Sequence, residues 1–226
     1  MHRQIFYENW NLSSYTTIKV GGVAEYFAEP RNLEELSYLI KWANINKQRC
    51  RIIGAGSNLL INNILIKGLV ICTKKMKSLT IEPNSGIVEA EAGVMLPTLS
   101  NSLAKYGLRG GEWAVGIPGT LGGAIYMNAG TGNLSLAKNL ISVKVINNRT
   151  HKKLEIKKKD INFEYRFSSF QRNDLTIISA KLHFEPNGNL EQLIQTTKYN
   201  LKLKTETQPY HQPSFGSVFK NPENNY

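Results

Sequence analysis

The first half of the chain carries one clear helical pattern, between residues 33 and 47. Apolar residues recur there at intervals of three and four, the spacing of one helix face; they are Leu33, Leu36, Leu39, Ile40 and Ala43. Asn32 precedes the pattern and Glu35 follows three residues later. Because this is the spacing of a capping box, we predict that the helix begins directly after Asn32.

Short strands flank this helix. Residues 19–28 contain the Gly21-Gly22 turn and predict one strand, and Arg51-Ile52-Ile53 predicts a second. Strand, helix and strand in this order are typical of a small α/β unit. We predict that this unit ends near residue 72.

The middle of the chain favours antiparallel strands. Apolar and polar residues alternate at 87–92, 139–147 and 176–185, and this period of two predicts strands. Between them, a helix is predicted to begin at Pro97 and to end at Gly107, where glycine allows a left-handed backbone.

A last helix is predicted at residues 190–203, with Leu190, Leu193, Ile194 and Leu201 facing inward. After it, Ser217-Val218-Phe219 predicts one more strand. Because a strand without partners is not stable, we expect a further α/β unit to complete this domain after Tyr226.

Residues 54–58, Gly-Ala-Gly-Ser-Asn, follow the second predicted strand. Successive backbone amides of such a turn can surround an anion, and glycine lets a diphosphate approach the main chain. The dinucleotide pattern Gly-x-Gly-x-x-Gly is not met, since Leu59 stands at its last position. On its residues alone, the segment is either an anion-binding loop or a tight turn.

Residues 116–124 form a second glycine-rich segment, with four glycines among apolar residues and a proline. A solvated linker would carry serine, glutamate or lysine instead. A flat ligand or a diphosphate lying against the backbone explains this composition. The alternative is a close helix–sheet crossing.

Composition and charge limit the partners. The 226 residues carry a net charge of +11, which favours nucleic acid or anionic small molecules. The densest basic run has no nucleic-acid-binding motif beside it, so we interpret it as a hairpin edge or a solvated surface; it consists of Lys152, Lys153, Lys157, Lys158 and Lys159. No apolar run reaches the roughly 20 residues of a membrane span, and no secretory pattern begins the chain. We expect a cytoplasmic protein with no nucleic-acid and no membrane partner.

Four motifs occur in a fixed order: GAGSNLL at 54–60, GIPGTLGGAIYMNAG at 116–130, YRFSSF at 165–170 and GSVFKNP at 216–222. Together they resemble the UDP-N-acetylenolpyruvoylglucosamine reductase family, in its shorter type, from about Asn11 to the last residue. The resemblance implies an α+β fold of α/β subdomains, the FAD-binding fold of the vanillyl-alcohol-oxidase (PCMH) type.

The same resemblance implies three domains. The first FAD-binding subdomain would span residues 1–72 and the second residues 73–186. Residues 187–226 would begin a substrate-binding domain, which the chain leaves incomplete. The catalytic glutamate that the family carries near its C-terminus has no counterpart before Tyr226.

Roles of single residues follow from the resemblance. The FAD pyrophosphate would be bound by Gly54, Ala55, Gly56, Ser57 and Asn58. The diphosphate and the isoalloxazine would lie against Ile117, Pro118, Gly119, Thr120, Gly122, Gly123 and Ala124. Arg166 would contact the substrate carboxylate and stabilise the enolate, and Ser217 would donate the proton. The nucleotide sugar would be held by Tyr165, Lys220 and Asn221. No metal is implied, and Cys50 and Cys72 show no Cys-x-x-Cys spacing.

The implied reaction is the NADPH-dependent reduction of UDP-N-acetylglucosamine enolpyruvate to UDP-N-acetylmuramate, a step of peptidoglycan synthesis. FAD supplies the hydride, since no side chain can. A forked guanidinium suits the charge that develops on a carboxylate, and a polarised serine can act as a general acid. We expect non-covalent FAD, because the four histidines lie outside both glycine-rich segments and the cysteines have apolar neighbours. A monomer is expected.

Two alternatives stay open at this point. One is an oxidase or dehydrogenase of the same flavin fold. The other is an inactive or split fragment that only binds FAD.

Overall fold

A computed structural model describes residues 5–222. Within this range the strands are β1 Phe6–Asn11, β2 Val23–Ala28, β3 Cys50–Ile53, β4 Leu65–Cys72, β5 Leu79–Glu82, β6 Ile87–Glu91, β7 Gly130–Thr131, β8 Leu134–Ser135, β9 Leu140–Asn147, β10 Lys153–Lys157, β11 Phe163–Glu164, β12 Phe167–Ser168 and β13 Leu175–His183. The α-helices are α1 Leu33–Ile45, α2 Leu96–Lys105, α3 Leu121–Tyr126, α4 Leu136–Asn139 and α5 Leu190–Thr207. The outermost residues of the predicted domains, 1–4 and 223–226, lie outside the described range.

The first sheet has the strand order β1-β2-β4-β3. β2 and β3 each pair in parallel with β4, and β1 pairs antiparallel with β2. Helix α1 connects β2 to β3, so the predicted strand–helix–strand order is confirmed. Parallel strands put their carboxyl ends at one edge of a sheet, and the loop at residues 54–58 leaves from that edge.

The start of α1 confirms the predicted cap. The side chain of Asn32 accepts a hydrogen bond from the Glu35 amide at 2.9 Å, and the Glu35 carboxylate accepts one from the Arg31 amide at 2.8 Å. Four of the five predicted apolar residues are fully buried: Leu36, Leu39, Ile40 and Ala43. The helix therefore packs on the face that its sequence pattern indicates.

The second sheet is antiparallel, in the order β10-β9-β13-β6-β5. Its inner face forms the larger core with α2 and α3, through residues such as Val88, Leu99, Leu103, Val143 and Leu182. Ile146 and Ile178 instead pack with α1 and the first sheet. The two sheets thus share a buried boundary.

Helix α5 corrects one prediction. Leu193 is buried, but Leu190 and Leu201 are 51% and 39% exposed. The helix docks through a narrow stripe that includes Thr197, which is buried, and Asn200, which donates to the Glu112 carbonyl at 3.1 Å. The predicted inward face is therefore confirmed at Leu193, partly met at Ile194, which is half-buried, and wrong at Leu190 and Leu201.

The strand predicted at residues 217–219 is also wrong. The segment is irregular, with Val218 and Phe219 63% and 85% exposed. Hydrogen bonds to other parts of the chain are made on either side of it, by Ser214 to Thr17 and by Asn221 to Tyr165. Across residues 5–222, no helix is long and apolar enough to cross a membrane.

Candidate functional site

The loop at residues 54–58 requires glycine at two positions. A Cβ on Gly54 would lie 2.2 Å from Oγ1 of Thr120. Gly56 has a φ of +66°, and a Cβ there would lie 2.0 Å from the Tyr15 carbonyl oxygen. The loop is therefore pressed between the N-terminal turn and the second glycine-rich segment.

In the backbone of this loop, carbonyl oxygens accept hydrogen bonds while the amides that follow Gly54 have no acceptor among the described residues. Two of its carbonyl oxygens accept hydrogen bonds: Gly56 O from the Thr17 amide at 3.3 Å, and Gly54 O from Sγ of Cys72 at 3.4 Å. By contrast, no group within residues 5–222 accepts a hydrogen bond from the amides of residues 55–58. A row of unpaired N–H donors at the end of a strand suits an anion such as a diphosphate.

Cys72 is a neutral neighbour of this loop. The residue is fully buried, and burial raises the pKa of its thiol to about 11. A protonated thiol can donate to Gly54 O, but it is a poor nucleophile.

The second glycine-rich segment continues into α3, and its two adjacent glycines face different surroundings. Gly122 donates its amide to Ala92 O at 2.8 Å, and a Cβ on it would lie 2.9 Å from the Ala92 Cβ. Gly123 is exposed, and among the described residues a Cβ there would meet Thr120 Oγ1 alone, at 3.6 Å. Gly122 thus fits the close helix–sheet crossing, whereas Gly123 leaves the start of α3 free of side chains.

Ser57 joins the two segments into one surface. Its hydroxyl donates to the Pro118 carbonyl oxygen at 2.9 Å, and Gly119, with a φ of +137°, lies beside it. Unpaired amides lie on one side of this contact and the bare start of α3 on the other. A ligand with an anionic centre and a flat ring fits such a surface.

Tyr165 and Arg166 form the two-residue turn between β11 and β12. Arg166 has a φ of +54°, a left-handed backbone that is uncommon outside glycine. Its Nη2 donates to Gly130 O at 3.1 Å, and its guanidinium carbon lies 4.8 Å from the centre of the Tyr165 ring. The cation is thus aligned by a carbonyl and an aromatic face.

The segment that follows α5, residues 208–222, is here called the strap. Tyr210 donates its hydroxyl to Gly116 O at 2.5 Å. Thr17 and Ser214 exchange two hydrogen bonds, at 3.2 Å and 2.5 Å. The Asn221 amide donates to the Tyr165 hydroxyl at 3.3 Å.

The strap therefore runs from the second glycine-rich segment, past the N-terminal turn, to the Tyr165–Arg166 turn. Ser217 and Lys220 are exposed on its last part. The predicted binding and catalytic residues come from four separate stretches of sequence, and the strap and the Ser57 bond connect those stretches.

Four residues that hold this region in place could not be identified from the sequence. Thr17 and Tyr210 hold the strap, and Asn128 and Gln171 hold the Arg166 turn. Their partners lie between 5 and 197 positions away, so no local pattern marks most of them. Within the described part of the chain, no three His, Cys, Asp or Glu residues are grouped as a metal site would require.

Comparison with known proteins gives the family. The FAD binding domain family matches residues 24–151. The UDP-N-acetylenolpyruvoylglucosamine reductase of Prochlorococcus marinus subsp. pastoris is 71% identical over 221 residues, which is 98% of this chain and 75% of that protein.

Solved structures agree with this assignment. The crystal structure of UDP-N-acetylenolpyruvylglucosamine reductase from Thermus caldophilus has a TM-score of 0.79 at 28% identity, over 97% of this chain and 75% of that one. A Phl p 4 variant, a glucose oxidase, has a TM-score of 0.60 at 14% identity over 80% of this chain and 41% of its own, which shows the fold alone. The fold predicted from the four motifs, the FAD-binding fold of the vanillyl-alcohol-oxidase type, is confirmed, and the chain belongs to the UDP-N-acetylenolpyruvoylglucosamine reductase family.

Proposed function

We propose that this chain binds FAD non-covalently and, with NADPH as co-substrate, reduces UDP-N-acetylglucosamine enolpyruvate to UDP-N-acetylmuramate. This is a cytoplasmic step of peptidoglycan synthesis, on which cell-wall growth, cell shape and cell division depend. The observation that carries the proposal is the meeting of the two glycine-rich segments, joined by Ser57 and Pro118, near a strap that reaches Tyr165.

The residues present fit FAD. The unpaired amides of residues 55–58 would receive the pyrophosphate, and the bare start of α3 at Gly123 would lie against the isoalloxazine. The protonated Cys72 thiol supports non-covalent binding. When bound, FAD supplies the hydride that no side chain can.

Arg166 would stabilise the negative charge that forms on the substrate, and Ser217 would donate the proton. Negative charge develops toward the substrate carboxylate during hydride addition, and a permanently charged, forked guanidinium stabilises it. Ser217 would protonate the other alkene carbon as a general acid. Tyr165, Lys220 and Asn221 would hold the nucleotide sugar.

The proposed domains follow the two sheets. Residues 1–72 would be the first FAD-binding subdomain, residues 73–186 the second, and residues 187–226 the start of the substrate-binding domain. The proposed unit is a monomer.

The test is made on the purified chain. Its absorption spectrum should show a flavin band, and boiling should release FAD and not FMN. Together with the C-terminal part that carries the family's glutamate, the chain should oxidise NADPH when the enolpyruvyl substrate is added. Parallel initial-rate lines are expected, because NADPH and the substrate would react with the flavin in turn. Folded protein that never takes up FAD, or that oxidises NADPH equally fast without the substrate, would contradict the proposal.

A further inference from the structure

The turn that carries Arg166 is held from outside by side chains. Nε2 of Gln171 donates to the carbonyl oxygen of Arg166 at 3.2 Å and to that of Tyr126 at 2.9 Å. Ser168 also donates to Tyr126 O, at 2.7 Å, and Asn128 donates to Glu164 O at 2.9 Å. Gln171 is the member of this group that bonds to Arg166 itself.

Tyr126 is the last residue of α3, and α3 begins at the surface proposed for the flavin. Its six residues span about 9 Å at the usual rise of an α-helix. One short helix therefore presents the bare backbone of Gly123 near its start and the Gln171 anchor at its end. Gln171 hydrogen-bonds to both Arg166 and the end of that helix. The Arg166 turn and the proposed flavin surface are therefore both attached to α3.

We propose that Gln171 is a positioning residue for Arg166. It keeps the Arg166 backbone in its left-handed conformation and so fixes the place of the guanidinium relative to the cofactor surface. The inference rests on the proposed function, in which Arg166 binds the substrate carboxylate. Gln171 acts through Arg166 and contacts neither substrate nor cofactor in this role.

The variant that tests this is Gln171→Met, which keeps the side-chain length and removes both donors. A matched control is Gln195→Met, because Gln195 also donates through Nε2, at 3.2 Å to Glu191, but on the exposed side of α5. Gln171→Lys restores a donor and should recover most of the native behaviour, and it also serves if Gln171→Met fails to fold.

The first measurement needs no ligand. In cofactor-free protein, hydrogen exchange at the amides of residues 167–169 should quicken about tenfold in Gln171→Met, because the turn loses the side-chain bridge from Arg166 O to Tyr126 O. Exchange there should stay native in Gln195→Met. Unchanged exchange in Gln171→Met would overturn the positioning role, whatever the substrate is.

The second measurement uses the FAD-loaded protein in its oxidised state. The change in flavin absorbance gives the Kd of UDP-N-acetylglucosamine enolpyruvate, which should rise about tenfold in Gln171→Met. The Kd of UDP-N-acetylglucosamine, measured by calorimetry, should not change, because that ligand lacks the carboxylate. Equal weakening of both ligands would overturn the inference.

A double-mutant cycle separates this inference from the proposed function. In an Arg166→Ala background, Gln171→Met should have no further effect on Kd, since Gln171 acts through Arg166. Additive losses would contradict the inference while leaving the role of Arg166 intact. If Arg166→Ala alone leaves Kd native, the proposed role of Arg166 is wrong, and hydrogen exchange then decides on Gln171.

Discussion

The hydroxyl of Ser57 donates a hydrogen bond to the carbonyl oxygen of Pro118 at 2.9 Å, across 61 positions of sequence. Ser57 belongs to the loop at the end of the parallel strands, and Pro118 precedes the helix that packs on the antiparallel sheet. The proposed FAD surface therefore depends on how the two sheets pack together. Neither sheet would provide it alone.

Two neighbouring glycines allow a paired test of that surface. Gly123→Ala adds a methyl group that fits in the cofactor-free protein, so the free energy of unfolding should stay level or rise by up to about 1 kcal/mol from helix propensity. Gly122→Ala meets Ala92, so it should lower that free energy by about 1–3 kcal/mol. Urea unfolding without FAD measures both.

Substitutions at Gly123 that the cofactor-free protein tolerates should nevertheless weaken FAD binding. Gly123→Ala should weaken FAD binding, and Gly123→Val should weaken it further, because the added carbons enter the space proposed for the ring. Titration of FAD fluorescence gives the Kd. Native affinity in Gly123→Val would show that the flavin does not lie against the start of α3.

Ser217→Ala tests the proton donor. Reduction of the flavin by NADPH does not need this proton, so the reductive half-reaction should stay near native. Reoxidation by the enolpyruvyl substrate should slow by about 10²–10⁴-fold, the usual range for loss of a general acid. Stopped-flow absorbance of the flavin follows both steps, and equal slowing of both would indicate a structural role for Ser217.

Arg166→Lys tests the carboxylate-binding residue. The charge is kept but the fork is lost, so both substrate affinity and the rate of flavin reoxidation should fall. Arg172→Lys is the matched control, because Arg172 also lies over an aromatic ring, that of Phe167, at 4.8 Å. A native Kd and rate in Arg166→Lys would contradict the assignment.

Because the thiol of Cys72 is buried, we expect the free energy of unfolding to fall at alkaline pH. Burial raises its pKa from 9.0 to about 11, so the fold favours the protonated form. This stabilisation is fully present below pH 9 and is lost as the pH rises to about 11. Two pKa units correspond to about 3 kcal/mol.

Denaturant unfolding at several pH values checks this expectation. Between pH 9 and pH 11, the free energy of unfolding should fall less steeply in Cys72→Ala than in the native chain. Cys50→Ala is the control, because burial also raises the pKa of Cys50, to about 12. In that variant, the part of the loss of unfolding free energy that is due to Cys72 should remain. Parallel curves for the native chain and Cys72→Ala would contradict the prediction.

Local patterns predicted the elements whose causes are local. The start of α1 follows from Asn32 and Glu35, which lie three residues apart, and Gly107 has the left-handed φ of +69° expected at the end of α2. The pattern could not tell Gly122 from Gly123, because the difference lies in Ala92, thirty residues away. It also could not show the left-handed Arg166, which depends on Gly130 and Gln171.

The two hydrogen bonds between Thr17 and Ser214 have a consequence for the order in which the molecule is built. They join positions 197 residues apart. During synthesis, this contact can form only after Ser214 has left the ribosome, long after the N-terminal turn has done so. The strands of both sheets, which end at His183, are available earlier, so this contact beside the ligand site can form only after both sheets.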